Sequence, residues 1–248
     1  VSQRIPYGTD PLHFGELTIP EGGGPHPIAI VIHGGFWRAK YDLGYIRPVC
    51  DALCDRGIAA WNMEYRRIGN PGGGWRGTFD DVAAGADHLA SIAAQFQLDL
   101  NRRIAIGHSA GGHLALWLAA EKKFLAGAIS LAGVVDLRRA WELQLSNNVV
   151  AEFLGGSPDE VPDRYAFASP IERLPLGLPQ KLFHGTKDEN VPIEISERYE
   201  RAAKARGDAA ELIRLEGSGH FELVDVRTKE FAMVLDAAAV LAARRFHT

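Results

Sequence analysis

The chain has 248 residues, 46% of them hydrophobic and 23% charged, an ordinary globular composition at a length that buries roughly three-quarters of the unfolded surface without staples. Its formal charge of −4 and isoelectric point near 6.2 argue against a nucleic-acid partner, because phosphate backbones are held by basic faces. Two cysteines, Cys50 and Cys54, are too few for a disulfide framework or a zinc cluster.

In chain order, FGELTIP (14–20) predicts an antiparallel edge strand or hairpin. IAIVIH (28–33) is a continuous apolar run ending in glycines, the pattern of a strand buried on both faces. DLGYIRPVCDALCDRG (42–57) has helical spacing with both thiols on one face, closed by Gly57 and interrupted only by Pro48. A strand IAAWNMEY (58–65) and the loop GNPGGGWRG lead into a helix over 78–96, with Thr78 as its expected N-cap. RRIAIGH (102–108) predicts a strand, SAGGHLALWLAAEK (109–122) a helix apolar nearly all round, and AGAISLAG (126–133) another strand. Residues 134–178 are proline-rich with helical fragments near 136–146 and 148–154, and are expected to form a small insertion over the C-terminal edge of the sheet, near the active site. QKLFHG (180–185), a helix over 192–207, AELIRLEG (210–217) and a helix over 225–245 complete the alternation. The predicted fold class is α/β: one domain over 1–248, with a mostly parallel twisted sheet of about eight strands and helices on both faces.

The stretch AIGHSAGGHLAL contains Gly107-His108-Ser109-Ala110-Gly111, a G-x-S-x-G pattern at a predicted strand-to-helix turn. Such a turn holds its serine at the apex in strained geometry, and side chains two residues either side would collide, so glycine is wanted there. Upstream, VIHGGFW puts two glycines after a buried strand, where backbone N–H groups can approach an oxyanion. The donors are expected at Ala110 and at Gly35 or Phe36. Downstream, LFHGTKDENVP and LEGSGHFE place Asp188 and His220 just beyond two late strands, at the sheet edge where Ser109 also falls. Asp136 is a weaker candidate for the acid. His33, His108, His113 and His184 read as packing or loop-bracing residues. Phe36, Trp37 and Trp75 sit on loops near this edge and are expected to bind substrate, with core packing the competing role for each and an equal one for Trp37.

With these residues in view, the chain resembles the α/β-hydrolase superfamily over almost its whole length. HGGFW with GHSAGG is similar to the esterase–lipase branch, and the H-G-G-x-W form to kynurenine formamidases (arylformamidases). The resemblance implies an eight-stranded sheet, a Ser109–His220–Asp188 triad and an oxyanion hole in the HGGFW loop. Phe36 departs from the H-G-G-G of hormone-sensitive lipases, which favours the formamidase-like or small-esterase branch. The expected function is a carboxylesterase acting on small molecules. An arylformamidase is the alternative, and a non-catalytic binding protein on the same fold is a third reading. No cofactor or metal is expected, since no H-E-x-x-H or comparable spacing occurs. VSQRIPYGTD lacks an apolar leader and no run is long enough for a membrane span, so the expected location is cytoplasmic, away from membranes. Monomer and homodimer are both open.

Overall fold

The computed structural model describes residues 2–246. Its strands are β1 (Gln3–Pro6), β2 (Phe14–Thr18), β3 (His26–Ile32), β4 (Ala59–Met63), β5 (Leu98–His108), β6 (Gly127–Leu131), β7 (Gln180–Gly185) and β8 (Ala210–Leu215). They form one sheet in the order β1-β2-β4-β3-β5-β6-β7-β8. From β4 to β8 neighbouring strands are parallel, and β1–β2 is an antiparallel hairpin added to β4 at the edge. The fold is thus the α/β class expected.

The central strands β3, β4 and β6 are apolar on both faces because both faces are covered. In β3, Ile28, Ile30 and Ile32 join one core cluster while Ala29 and Val31 join the other, the two-residue alternation of a strand. The first cluster is closed by helices α2 (Gly77–Ile92), α3 (Ala110–Glu121) and α7 (Glu194–Ala205), the second by α1 (Arg47–Asp55) and α8 (Lys229–Ala242). Helix α3 is buried from Ala110 to Ala120, which accounts for its lack of a polar face. Each large apolar side chain so enclosed contributes roughly 1.5–3 kcal/mol. Among the described residues no helix is long and apolar enough to cross a membrane.

Local chemistry shifts several expected boundaries. The 42–57 segment opens as a 3-10 turn, Leu43–Ile46, capped by the Asp42 carboxylate accepting from Gly44 N at 2.8 Å. Helix α1 follows with Pro48 in its first turn, where no amide donor is missed. Thr78 is not the N-cap of α2: the helix already starts at Gly77, and the Thr78 hydroxyl donates to Arg66 O (2.6 Å) and accepts from Gly74 N (3.1 Å). It ties the glycine loop to the helix instead. Segment 134–178 forms α4 (Leu137–Glu142), α5 (Leu145–Leu154), α6 (Pro162–Ala168) and a 3-10 turn, Pro170–Arg173. Its Leu137, Val150, Phe153 and Tyr165 enter the α2–α3 core cluster. The insertion therefore packs against that face and meets the loop after β3 through Trp37 and Arg38.

Candidate active site

Ser109 lies between the last residue of β5 and the first of α3, with φ 57 and ψ −122. A non-glycine residue in that region stores about 1–3 kcal/mol of strain, sustained here by the buried strand end and helix start that flank it. Its N–H donates to Leu131 O at 2.8 Å. A Cβ on Gly107 would run into the Gly111 carbonyl, and one on Gly111 into the carbonyls of Ile32 and His33. Glycine at both positions is a steric requirement of the turn.

Asp188 follows β7 and His220 follows β8, and the structure brings them together: His220 Nδ1 lies 2.6 Å from Asp188 Oδ2. The other carboxylate oxygen accepts from Asn190 N and Val191 N, both at 2.9 Å. Burial alone would raise the Asp188 pKa, but the adjacent His184 imidazole and the hydrogen-bonded His220 more than offset it and hold the carboxyl well below its ordinary value. With Nδ1–H committed to a carboxylate, Nε2 is the nitrogen of His220 left to take a proton. The loop is braced from behind by Ser218, whose hydroxyl donates to Glu230 at 3.0 Å and whose carbonyl accepts from Lys187 N at 2.9 Å.

Ser109 and His220 line one cavity of about 360 Å³, with Gly35 and Phe36 beside them. Among the described residues no hydrogen bond joins the Ser109 hydroxyl to the imidazole. Such bonds are commonly long in free enzymes and tighten with substrate. The Gly34 amide is already spent on Tyr45 OH at 2.7 Å. The amides of Gly35 (φ 108) and Phe36 (φ 49), residues that line the cavity, remain as candidate donors; Ala110 follows Ser109 directly, and its place at the start of α3 leaves its N–H without an intrahelical acceptor. This arrangement can pass a proton from serine to imidazole and stabilise negative charge on a substrate oxygen.

Two expected substrate contacts are corrected. Trp37 is fully buried, stacked on Phe153 at 4.5 Å, with Nε1 donating to His113 Nδ1 at 3.2 Å. The chain turns through left-handed backbone at both Phe36 and Trp37, so the first side chain meets the cavity and the second the core. Trp75 packs edge-on to Phe79 and Phe167 at 5.9 and 5.3 Å and does not line the cavity. The walls include instead Tyr41, Tyr45, Asn190 and Phe221, which the reading of the sequence passed over. Their signal was proximity: Asn190 and Phe221 adjoin Asp188 and His220, and the two tyrosines stand four apart just after HGGFW.

The remaining candidates have other partners. Asp136 caps α4 through Arg139 N (3.1 Å) and pairs with Arg198 at 2.7 Å. His33 lies under Tyr65 and 3.0 Å from Glu64. His184 spans Ser196 Oγ (2.7 Å) and Val191 O (2.8 Å), supporting the Asp188 loop. Among the described residues no group of three or more His, Cys, Asp or Glu side chains is arranged to hold a metal ion.

Strand order, covered faces and a strained serine at the turn from β5 into α3 make this an α/β-hydrolase fold. Solved structures agree. A truncated carbohydrate esterase from gut microbiota superposes with a TM-score of 0.82 at 21% identity, covering 98% of this chain and 97% of that one. A thermophilic esterase from the Planctomycetes species Thermogutta terrifontis, with propionate bound, gives 0.77 at 23% identity, covering 96% and 92%. At these identities the likeness speaks for the fold. The profile of the BD-FAE family matches residues 17–202, and the chain belongs to that family. In sequence it is similar to the isoprenylcysteine alpha-carbonyl methylesterase ICME of Arabidopsis thaliana, 25% identical over 249 residues, covering 90% of this chain and 57% of that protein. An uncharacterized peptidase of Bacillus subtilis (strain 168), YtmA, is 27% identical over 200 residues, covering 77% and 74%. The chain spans little more than half, 51% to 58%, of the methylesterases it matches. Its relatives are hydrolases, esterases prominent among them.

Proposed function

We propose that this chain is a serine hydrolase that cleaves carboxylic esters of small molecules. The observation that carries the reading is the Asp188–His220 pair at 2.6 Å, opening onto the same cavity as Ser109 in its strained turn. In this reading His220 Nε2 takes the Ser109 proton, the alkoxide attacks the ester carbonyl, and Asp188 holds the imidazole and stabilises its charged form. Amides at 35–36 and at Ala110 stabilise the tetrahedral oxyanion, each worth about 3 kcal/mol of barrier. The protonated His220 then delivers its proton to the departing alcohol. Water repeats the sequence on the acyl-enzyme, releasing the acid and restoring Ser109.

A cavity of about 360 Å³ walled by Phe36, Tyr41, Tyr45 and Phe221 is at the small end for ligand sites and suits compact apolar groups. The esterase relatives support an ester over a formamide. The H-G-G-x-W likeness to formamidases loses force here because Trp37 lies in the core.

Fluorophosphonate labelling tests the nucleophile: the wild type takes the label and Ser109→Ala does not, whereas equal labelling refutes the assignment. Rates on short p-nitrophenyl esters beside N-formylkynurenine test the substrate class, and a kinetic preference for the formamide would displace the esterase reading.

A further inference from the structure

Three loops must keep register for the proposed chemistry, and one partly buried chain of hydrogen bonds runs through all of them. The Gly34 N–H donates to Tyr45 OH at 2.7 Å. That hydroxyl lies 2.9 Å from His108 Nδ1, and His108 Nε2 lies 2.9 Å from the His220 carbonyl. The polarity follows from the ends. A carbonyl oxygen only accepts, so Nε2 carries the hydrogen. Burial foremost, then the neighbouring His220, pushes the His108 pKa down to about 3, which leaves Nδ1 bare to accept. Tyr45 must therefore donate to it while accepting from Gly34. Although Tyr45 as a residue is 37% exposed and lines the cavity, its hydroxyl is enclosed between Gly34 and His108. Burial holds its pKa above the ordinary phenol value, so the donor is kept.

We propose that Tyr45 and His108 form a positioning relay that locks the oxyanion loop at 34–36 to the backbone of His220, with Ser109 held between them. Gly34 precedes the candidate donor Gly35, and His108 precedes Ser109. The relay thus grips the neighbour of each reacting group in the first two loops and the base's own carbonyl in the third. A glycine loop has little stiffness of its own, and a shift of about 1 Å in such a site costs up to a hundredfold in rate. Neither side chain takes or gives a proton in the reaction. The relay rests on the triad reading above.

The test is a double-mutant cycle on the full chain with a short p-nitrophenyl ester, rates being normalised to sites titrated by fluorophosphonate so that misfolded molecules do not count. Tyr45→Phe keeps the ring against the cavity and removes both of its hydrogen bonds. His108→Gln keeps a donor toward the His220 carbonyl but withdraws the acceptor from the Nδ1 position facing Tyr45, because the glutamine oxygen shares its terminal carbon with the donating nitrogen. Each variant is expected to lower kcat about tenfold with KM within about twofold, as for breaking the one chain of positioning hydrogen bonds. The double variant should be no slower than Tyr45→Phe, because the two share one chain of bonds. Multiplying losses, losses confined to KM, or a Tyr45→Phe enzyme with wild-type kcat would each overturn the relay. If His108→Gln does not fold, the near-isosteric Tyr45→Phe decides alone, through its kcat against KM. A wild type that neither labels nor hydrolyses the ester overturns the triad reading and the relay with it. One that does both while Tyr45→Phe matches it overturns the relay only.

Discussion

Asp188 and Trp37 show how differently two side chains on loops that follow strands of one sheet are used. The Asp188 carboxylate receives two backbone amides at 2.9 Å and the His220 ring at 2.6 Å, so Asp188→Asn should preserve the loop while favouring the wrong imidazole tautomer. We expect kcat on a p-nitrophenyl ester to fall by roughly 10³–10⁴ with the fold retained and the thermal midpoint lowered, since the native-state stabilisation of the carboxylate is lost. A variant retaining more than a tenth of the rate would remove Asp188 from the mechanism. Phe36 and Trp37, consecutive in sequence, should separate cleanly. Phe36→Ala opens the cavity wall and is expected to raise KM several-fold at nearly wild-type stability. Trp37→Ala leaves a hole beside Phe153 and His113 and should cost about 3–5 kcal/mol in urea unfolding. The reverse assignment of effects would contradict the observed packing. Sequence placed both aromatics on one loop but could not say which faced inward, since that depends on two left-handed residues in succession.

At the scale of elements, the strand–turn–helix of β5, Ser109 and α3 was readable because part of its steric exclusion is local: glycine at 107 is demanded by the Gly111 carbonyl four residues on, whereas glycine at 111 answers to the Ile32 and His33 carbonyls of the neighbouring strand end. Gly111→Ala should therefore destabilise the fold by about 1–3 kcal/mol or more, seen as a lowered urea midpoint. Its new methyl meets carbonyls of Ile32 and His33 on the neighbouring strand end. An unchanged midpoint would mean the junction is looser than drawn. Elements without such local constraint were read less well. The start of α2 was misjudged because Thr78 hydrogen bonds to Arg66 and Gly74, partners that only the folded 66–78 loop supplies. Helix α6 and the 3-10 turn after it escaped notice because their prolines mask the helical pattern.

For the whole molecule, buried histidines make stability depend on pH. His108 and His113 are buried, and their pKa values fall from 6.5 to about 3 and about 4, burial being the main cause for both. Below 6.5 the unfolded chain binds protons that the folded chain refuses, so their contribution is complete above that pH and declines as pH falls toward 4. The depressed Asp188 carboxyl acts in the same direction at lower pH, its contribution fading below its ordinary value of 3.8. The urea midpoint should be flat between about pH 7 and 8 and fall steadily from pH 6 to pH 4. A midpoint that rises on acidification would contradict neutral burial of these rings.

What the sequence by itself determined is whatever short-range physics controls. Apolar runs such as IAIVI announced strands covered on both faces, the G-x-S-x-G spacing announced a strained turn, and the order of strands along the chain put Ser109, Asp188 and His220 at one sheet edge. Only the tertiary structure decided which side chains wall the cavity, that Trp37 turns inward, and that Tyr45 and His108 link three loops. Those outcomes depend on distances between residues as far apart as 34 and 220, and such distances are fixed when the sheet packs against its helices, with no trace in the spacing of neighbouring residues.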